Sequence, residues 1–214
     1  MTRAAATRRP GRPAGASGDR TRERILRVAL DSFAKQGMAG TSVRGIARQA
    51  RIRVSTLYHY FPSKEALYVE AQRRVHEQIR DLVVAALGRD IGFPELTREV
   101  VGALFDLFYE NRSHLELGYR AALDGGPRLA GDAQLAERWL GFVEGTLGPA
   151  ERRGEIQAID PVHFMVTIDG LVHWHILNEP LYRRLLGRGF DDDEVRSQTR
   201  EHVIQVALRT LGLD

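Results

Sequence analysis

TSVRGIARQARIRVSTLYHYFPSKEAL, residues 41–67, decides the fold. Its first half places Val43, Ile46, Ala47 and Ala50 at i, i+3, i+4 and i+7, so a helix over residues 42–50 buries them on one face. Arg44 and Arg48 stand one turn apart on the side left to solvent. About four residues on, a second short helix over 54–61 buries Leu57 and turns Ser55, Thr56, Tyr58 and His59 outward. Pro62-Ser63 then restarts the chain, with Ser63 as N-cap of a longer helix. A helix, a tight turn and a second helix rich in hydrogen-bonding side chains, ringed by arginine, is the plan of a helix-turn-helix that reads double-stranded DNA.

Upstream, Ile25, Leu26, Ala29, Leu30 and Phe33 form the core stripe of a helix expected to start at Asp19 and to end before Gly37. Residues 1–18 carry Arg, Pro, Gly, Ala and Ser without apolar periodicity and read as a disordered basic arm. Within that arm Arg9-Pro10-Gly11-Arg12-Pro13 partly resembles the Arg-Gly-Arg-Pro core of minor-groove AT-hooks. Downstream, Leu67, Ala71, Val75, Ile79, Leu82 and Ala86 carry a helix to Gly88; about 25 residues give about 37 Å, enough to link two domains. The remaining pattern predicts helices over 95–109, 113–122, 132–153, 161–186 and 191–211, with Asp160-Pro161 a strong start signal. No alternating strand pattern appears, so the expected fold is all-α. The expected domains are a helix-turn-helix unit over 19–66 and a helical unit over 67–214, to which ligand binding and dimerisation are assigned on the residues and the resemblance given below.

Charge divides the chain the same way. Residues 1–64 hold 14 Arg or Lys against 3 Asp or Glu, whereas residues 65–214 hold 17 against 25. One end is built to meet a polyanion while the other stays in solution. The sequence has no cysteine, which excludes disulfides, thiolate catalysis and cysteine zinc sites. No apolar run is long enough to cross a bilayer and no signal peptide is recognisable, so a cytoplasmic location without membrane contact is expected. Nucleophile elbow, P-loop and zincin motifs are absent; neither enzymatic activity nor a cofactor is expected.

TSVRGIARQA followed by TLYHYFPSKEAL resembles the helix-turn-helix and fourth-helix start of the tetracycline-repressor (TetR) family, over roughly residues 20–70. That resemblance implies phosphate contacts from Thr56, Tyr58 and Lys64, and a helix 2 position at Arg44 that can reach a base edge. Arginine matches guanine O6 and N7 bidentately. Ser42, Arg53, Val54, Ser55 and His59 complete the expected DNA-binding set, Val54 suiting a thymine methyl better than a hydrogen bond. Two positions depart from the family pattern. Arg51 stands where Gly is common, and Arg53 stands where Ser or Thr would cap helix 3. Arg51 adopts a left-handed conformation only at a cost, and Arg53 has no acceptor to cap with.

In the acidic part, Phe105, Phe108, Tyr109, Trp139, Phe142, Phe164 and Trp174 fall on several helices and are candidate walls of an apolar pocket. His114, Arg120 and Thr167 are candidate polar handles. His173 and His175 point about 200° apart and cannot share a metal ion; Asp169 and His173, at i and i+4, are expected to pair. The resemblance implies a homodimer, and Val195, Thr199, His202, Val203, Val206 and Thr210 are the expected interface. Two functional readings share the DNA head. One is a repressor of an inverted-repeat operator, released by a small apolar or amphipathic effector. The other is a constitutive or architectural DNA-binding dimer without an effector.

Overall fold

The computed structural model describes residues 14–123 and 130–213, with side chains from residue 18 onward apart from 121–123, 130–136 and 139. The motif at residues 9–13 falls outside the described residues. The chain runs α1 (Ala14–Gly40), α2 (Val43–Gln49), α3 (Val54–Tyr60), α4 (Lys64–Leu87), α5 (Phe93–Glu110), α6 (Arg112–Leu123), α7 (Ala130–Arg152), α8 (Pro161–Leu177), α9 (Glu179–Leu186) and α10 (Asp193–Leu211), with no strand among the described residues. The fold is all-α.

Two boundaries differ from expectation. α1 opens at Ala14, more than a turn ahead of Asp19, so Asp19 lies inside the helix instead of capping it. Gly37 (φ 67°, ψ 175°) breaks α1 as expected, yet one more turn follows to Gly40. The second difference is at 161–186, which is two helices, not one. Pro180 has no N–H for the carbonyl four residues back, so α8 closes at Asn178 and α9 restarts with the proline in its first turn.

The first three helices and the start of α4 enclose one core. Ile25, Ala29 and Phe33 of α1, Ile46 and Ala47 of α2, and Leu57 of α3 are buried against Leu67 and Ala71 of α4. A side chain the size of Phe33 or Leu57, fully removed from water, contributes about 1.5–3 kcal/mol. Leu117 of α6 closes the same core at 1% exposure. Serine caps set both ends of the reader: Ser42 Oγ accepts from Gly45 N (3.0 Å) and Ser63 Oγ from Ala66 N (3.0 Å). Buried Thr41 sets its hydroxyl between the carbonyls of Gly37 (2.7 Å) and Ser32 (3.1 Å), joining the kinked end of α1 to α2.

At 24 residues, α4 is about 36 Å long. Its second half joins α5, α8 and α10 in a second body, whose core includes Val101, Phe105, Ile168, Val172, Val203 and Leu208. Carboxylate caps start two of the body's helices, α8 and α10: Asp160 accepts from His163 N (2.8 Å), and Asp192 from Glu194 N (3.0 Å) and Val195 N (3.2 Å). Leu147, Ala150, Ile156 and Leu211 make a smaller cluster where α7 meets the chain's end.

Candidate nucleic-acid interface and ligand cavity

The α2–turn–α3 unit presents a basic, hydroxyl-bearing edge. Ser42, Arg44, Arg53, Ser55, Tyr58 and His59 are exposed, while Val54 and Thr56 are half-buried. Leu57 and Phe61 are interior, and Tyr60 packs on the core with its ring edge-on to His59 at 5.4 Å. Arg48 and Arg51 are exposed at the same unit and belong beside the expected set; Arg48's placement one turn below Arg44 was the available signal. Among the described residues none of Arg44, Arg48, Arg51 and Arg53 meets a carboxylate, whereas Arg22, Arg73, Arg74 and Arg89 all do. Four guanidiniums without a carboxylate partner make this unit electropositive, as a surface suited to a polyanion is.

The turn has the two departures that the sequence suggests. Arg51 adopts φ 53°, the left-handed region, and is the one non-glycine residue to do so among those described. Arg53 occupies the N-cap of α3 and makes no side-chain capping bond. The first N–H groups of α3 are therefore open.

Lys64 is arranged differently from the expected free phosphate ligand. Its Nζ donates to the carbonyls of Met38 (2.8 Å) and Thr41 (3.1 Å), tying the start of α4 to the end of α1. One of three ammonium donors is left for DNA.

The second body contains a cleft with an empty volume of about 950 Å3, its open mouth included. Ile79, Val83 and Leu87 of α4 form one wall, Leu104 and Phe108 of α5 another, and Phe142 and Phe164 face it from α7 and α8. Of the expected pocket residues, Phe108, Phe142 and Phe164 line it. Phe105 is fully buried in the core instead, and Tyr109 spends its hydroxyl on Phe190 O (3.0 Å) beneath Arg196. Trp174 is 61% exposed on the outer side of α8. The side chain of Trp139 lies outside the described residues. Nor do the expected handles enter the cleft. Arg120 donates to the carbonyls of Ala34 (2.5 Å) and Lys35 (2.9 Å) on α1, Thr167 faces outward, and burial pushes the His114 imidazole down from its ordinary pKa.

Asp169 does line the cleft, a placement that sequence reasoning missed because it treated the residue only as a partner of His173. The two do approach, Nδ1 to Oδ2 at 3.3 Å. Burial pushes the Asp169 carboxyl up and the His173 imidazole down, since each charged form loses water.

The expected dimer interface needs correction. Val195 (2% exposed), Thr199 (5%) and Val203 (0%) lie inside the protomer, where α10 packs on α5 and α8, so they cannot meet a second chain. His202 is exposed, and Val206 and Thr210 are half-buried. Beside them α8 exposes Val162, Val166 and Trp174, with Gly170 completing an i, i+4 ridge. An α10 helix running along the core buries a different face from the one a partner would use. Periodicity alone shows an apolar face, not what covers it.

The model of the bacterial regulatory proteins of the tetR family matches residues 25–71, the segment just described as head. Along most of its length the chain is also similar to curated regulators of that kind. The HTH-type transcriptional repressor NicS of Pseudomonas putida is 25% identical over 90% of this chain and 93% of that one. The HTH-type transcriptional regulator RutR of Escherichia coli is 27% identical over 86% and 87%. The head is that of the TetR family. Among solved structures, SCO4942 of Streptomyces coelicolor superposes with a TM-score of 0.69 at 26% identity, covering 91% of this chain and 99% of that one. The family model thus matches the head alone. The cleft and the α8–α10 face rest on this chain's own side chains.

Proposed function

We propose that the protein is a homodimeric repressor that binds an inverted-repeat operator and is released by a small apolar or amphipathic effector. The observation that carries this reading is the combination, on one α4, of a head with four unpaired arginines and a body with an apolar cleft. The head, residues 19–66 on the floor that α4 and α6 supply, reads DNA through Arg44 and holds phosphates through Ser42, Arg53, Ser55, Thr56 and Tyr58, with Val54 and His59 beside the base edges. The body, residues 67–214, binds the effector and dimerises, and it acts by binding, not catalysis.

Ligand occupancy must favour a DNA-incompetent spacing of the two heads to have any effect. An open cleft favours this over the constitutive reading, which a filled body core would support. The ridge Val162-Val166-Gly170-Trp174, laid beside His202, Val206 and Thr210, is the proposed two-fold face; i±4 ridges of two helix pairs can interdigitate there. No helix among the described residues is long and apolar enough to cross a membrane, in keeping with a cytoplasmic DNA binder.

Selection of bound sequences from random double-stranded DNA, with sedimentation of the free protein, tests the reading. A motif with dyad symmetry and a dimer at micromolar concentration are expected. A motif without symmetry, or a monomer whose state Trp174→Arg leaves unchanged, overturns it.

A further inference from the structure

The cleft is apolar in all but one respect. Its two threonines are already satisfied: Thr97 Oγ1 donates to Phe93 O (2.8 Å) and Thr146 Oγ1 to Phe142 O (2.9 Å). Asp169 is the one charged side chain in the lining among the described residues, and no Lys or Arg lies within ion-pair distance of it. Its side chain is 57% accessible at the cleft's border, where burial disfavours its charge. The cationic candidates facing it are the imidazoles of His173 on α8 and His76 on α4. Burial favours neutral His173, whose Nε2 is buried without a hydrogen-bond partner. With Nδ1 turned to the carboxylate, that Nε2 is an acceptor. The one charged valence that the lining itself presents at this end is thus an anionic acceptor, the Asp169 carboxylate.

The opposite, solvent-facing end is balanced. The polar recess adjoining the cleft at Leu87 and Phe93 holds Arg89 and Arg153, and each is already paired, with Glu99 and Glu155 respectively. A carboxylate without a cation in a low-dielectric cleft is unfavourable alone and attractive to a donor-rich cation.

We propose that the cleft takes an organic cation, an apolar body ending in an ammonium group that pairs with Asp169. This inference rests on the effector reading above and narrows its ligand to a charge class. It predicts discrimination against a carboxylate of the same chain length, which would meet Asp169 with like charge.

The test is titration calorimetry of the full chain with n-decylammonium, 1-decanol and n-decanoate, each below its micellar concentration. Decylammonium should bind at least about tenfold more tightly than decanol, with decanoate weakest. Asp169→Asn should abolish the preference and leave decanol affinity unchanged, which also reports that the variant is folded. Val100→Trp, which fills the cleft, should weaken all three. Equal binding of the amine and the alcohol, tighter binding of the acid, or a preference that survives Asp169→Asn overturns the cation assignment while leaving an effector cleft standing. Failure of all three probes to bind overturns both. Selective amine binding that leaves operator affinity unchanged supports the cation site and sinks release by an effector.

Discussion

Arg120 Nε of α6 donates to the carbonyl of Ala34 at 2.5 Å, so a side chain of the second body holds the far end of the first helix of the head. α6 follows α5, which lines the cleft, and the same helix sends Leu117 into the head's core. Displacement of α5 by a ligand therefore has a direct route to α1, besides the one along α4. Arg120→Ala should accelerate amide hydrogen exchange in the last turns of α1 while leaving α8 and α10 as protected as before. The side chain is exposed, so the loss of stability should stay within about 1 kcal/mol. Unchanged exchange at the end of α1 would show that the clamp transmits nothing.

Lys64 and Arg44 should separate by what they hold. Lys64→Met removes bonds to Met38 and Thr41 carbonyls and should lower the melting temperature of free protein. A charge-assisted hydrogen bond contributes up to about 1.5–3 kcal/mol, less here because the residue is only half-buried. Its effect on the salt slope of DNA binding should be at most about one per subunit. Arg44→Ala should leave the melt unchanged, cost about 1–3 kcal/mol in operator binding and relax preference at one base pair per half-site. Equal loss on operator and random DNA would deny Arg44 a base contact.

The strained turn should trade stability against binding. Arg51→Gly removes a left-handed arginine, worth about 1 kcal/mol, and Arg53→Ser supplies the missing cap of α3, worth about 1 kcal/mol. Each should raise the melting temperature by about 2–4 °C. Each should also weaken DNA binding and flatten its salt dependence, because a phosphate can accept from the open N–H groups and neutralise the arginines. A variant that is more stable and binds as tightly as the parent would place that arginine away from the backbone of DNA.

Glu70 joins α4 to α1 and should carry a pH signature. Its hydrogen bond from Arg73, reinforced by Arg22, holds the carboxyl below its ordinary range. The folded form therefore keeps a carboxylate that the unfolded chain gives up sooner as acid is added. The stabilisation is complete above the ordinary carboxylate range and fades as pH falls through the lowered value. Melting temperatures of the parent and Glu70→Gln should differ at neutral pH and converge towards about pH 3. A gap of constant width would mean that the carboxylate's charge contributes nothing.

The head was legible because its signals are local. The i, i+3, i+4, i+7 spacing fixed the buried face of α2, and Ser42 and Ser63 cap the helices they precede. Arg51 and Arg53 declared their strain through what they lack, a free choice of φ and an acceptor. The cleft was less legible, since an aromatic on a buried helix face reads alike whether it borders a void, as Phe108 does, or fills the core, as Phe105 does. Trp174 misled for the converse reason: a large apolar residue can sit outside a protomer as readily as inside one. Lys64 looked free because its acceptors, Met38 and Thr41, are distant in sequence and are main-chain atoms that carry no residue signature.

Leu117 has a consequence for modularity. With 1% of its surface exposed, it plugs the head from a helix some fifty positions downstream of the reader. A chimaera joining this head to a foreign effector module at α4 would exchange that plug for whatever residue the donor's α6 presents. A smaller one would open a cavity in the core that Leu117 shares with Phe33 and Leu57, and Leu-to-Ala losses in such cores cost about 2–5 kcal/mol. Inheritance of the operator code is thereby tied to the shape of one helix in the ligand-sensing half. Grafts that carry α6 together with residues 19–66 should recover both folding and operator choice.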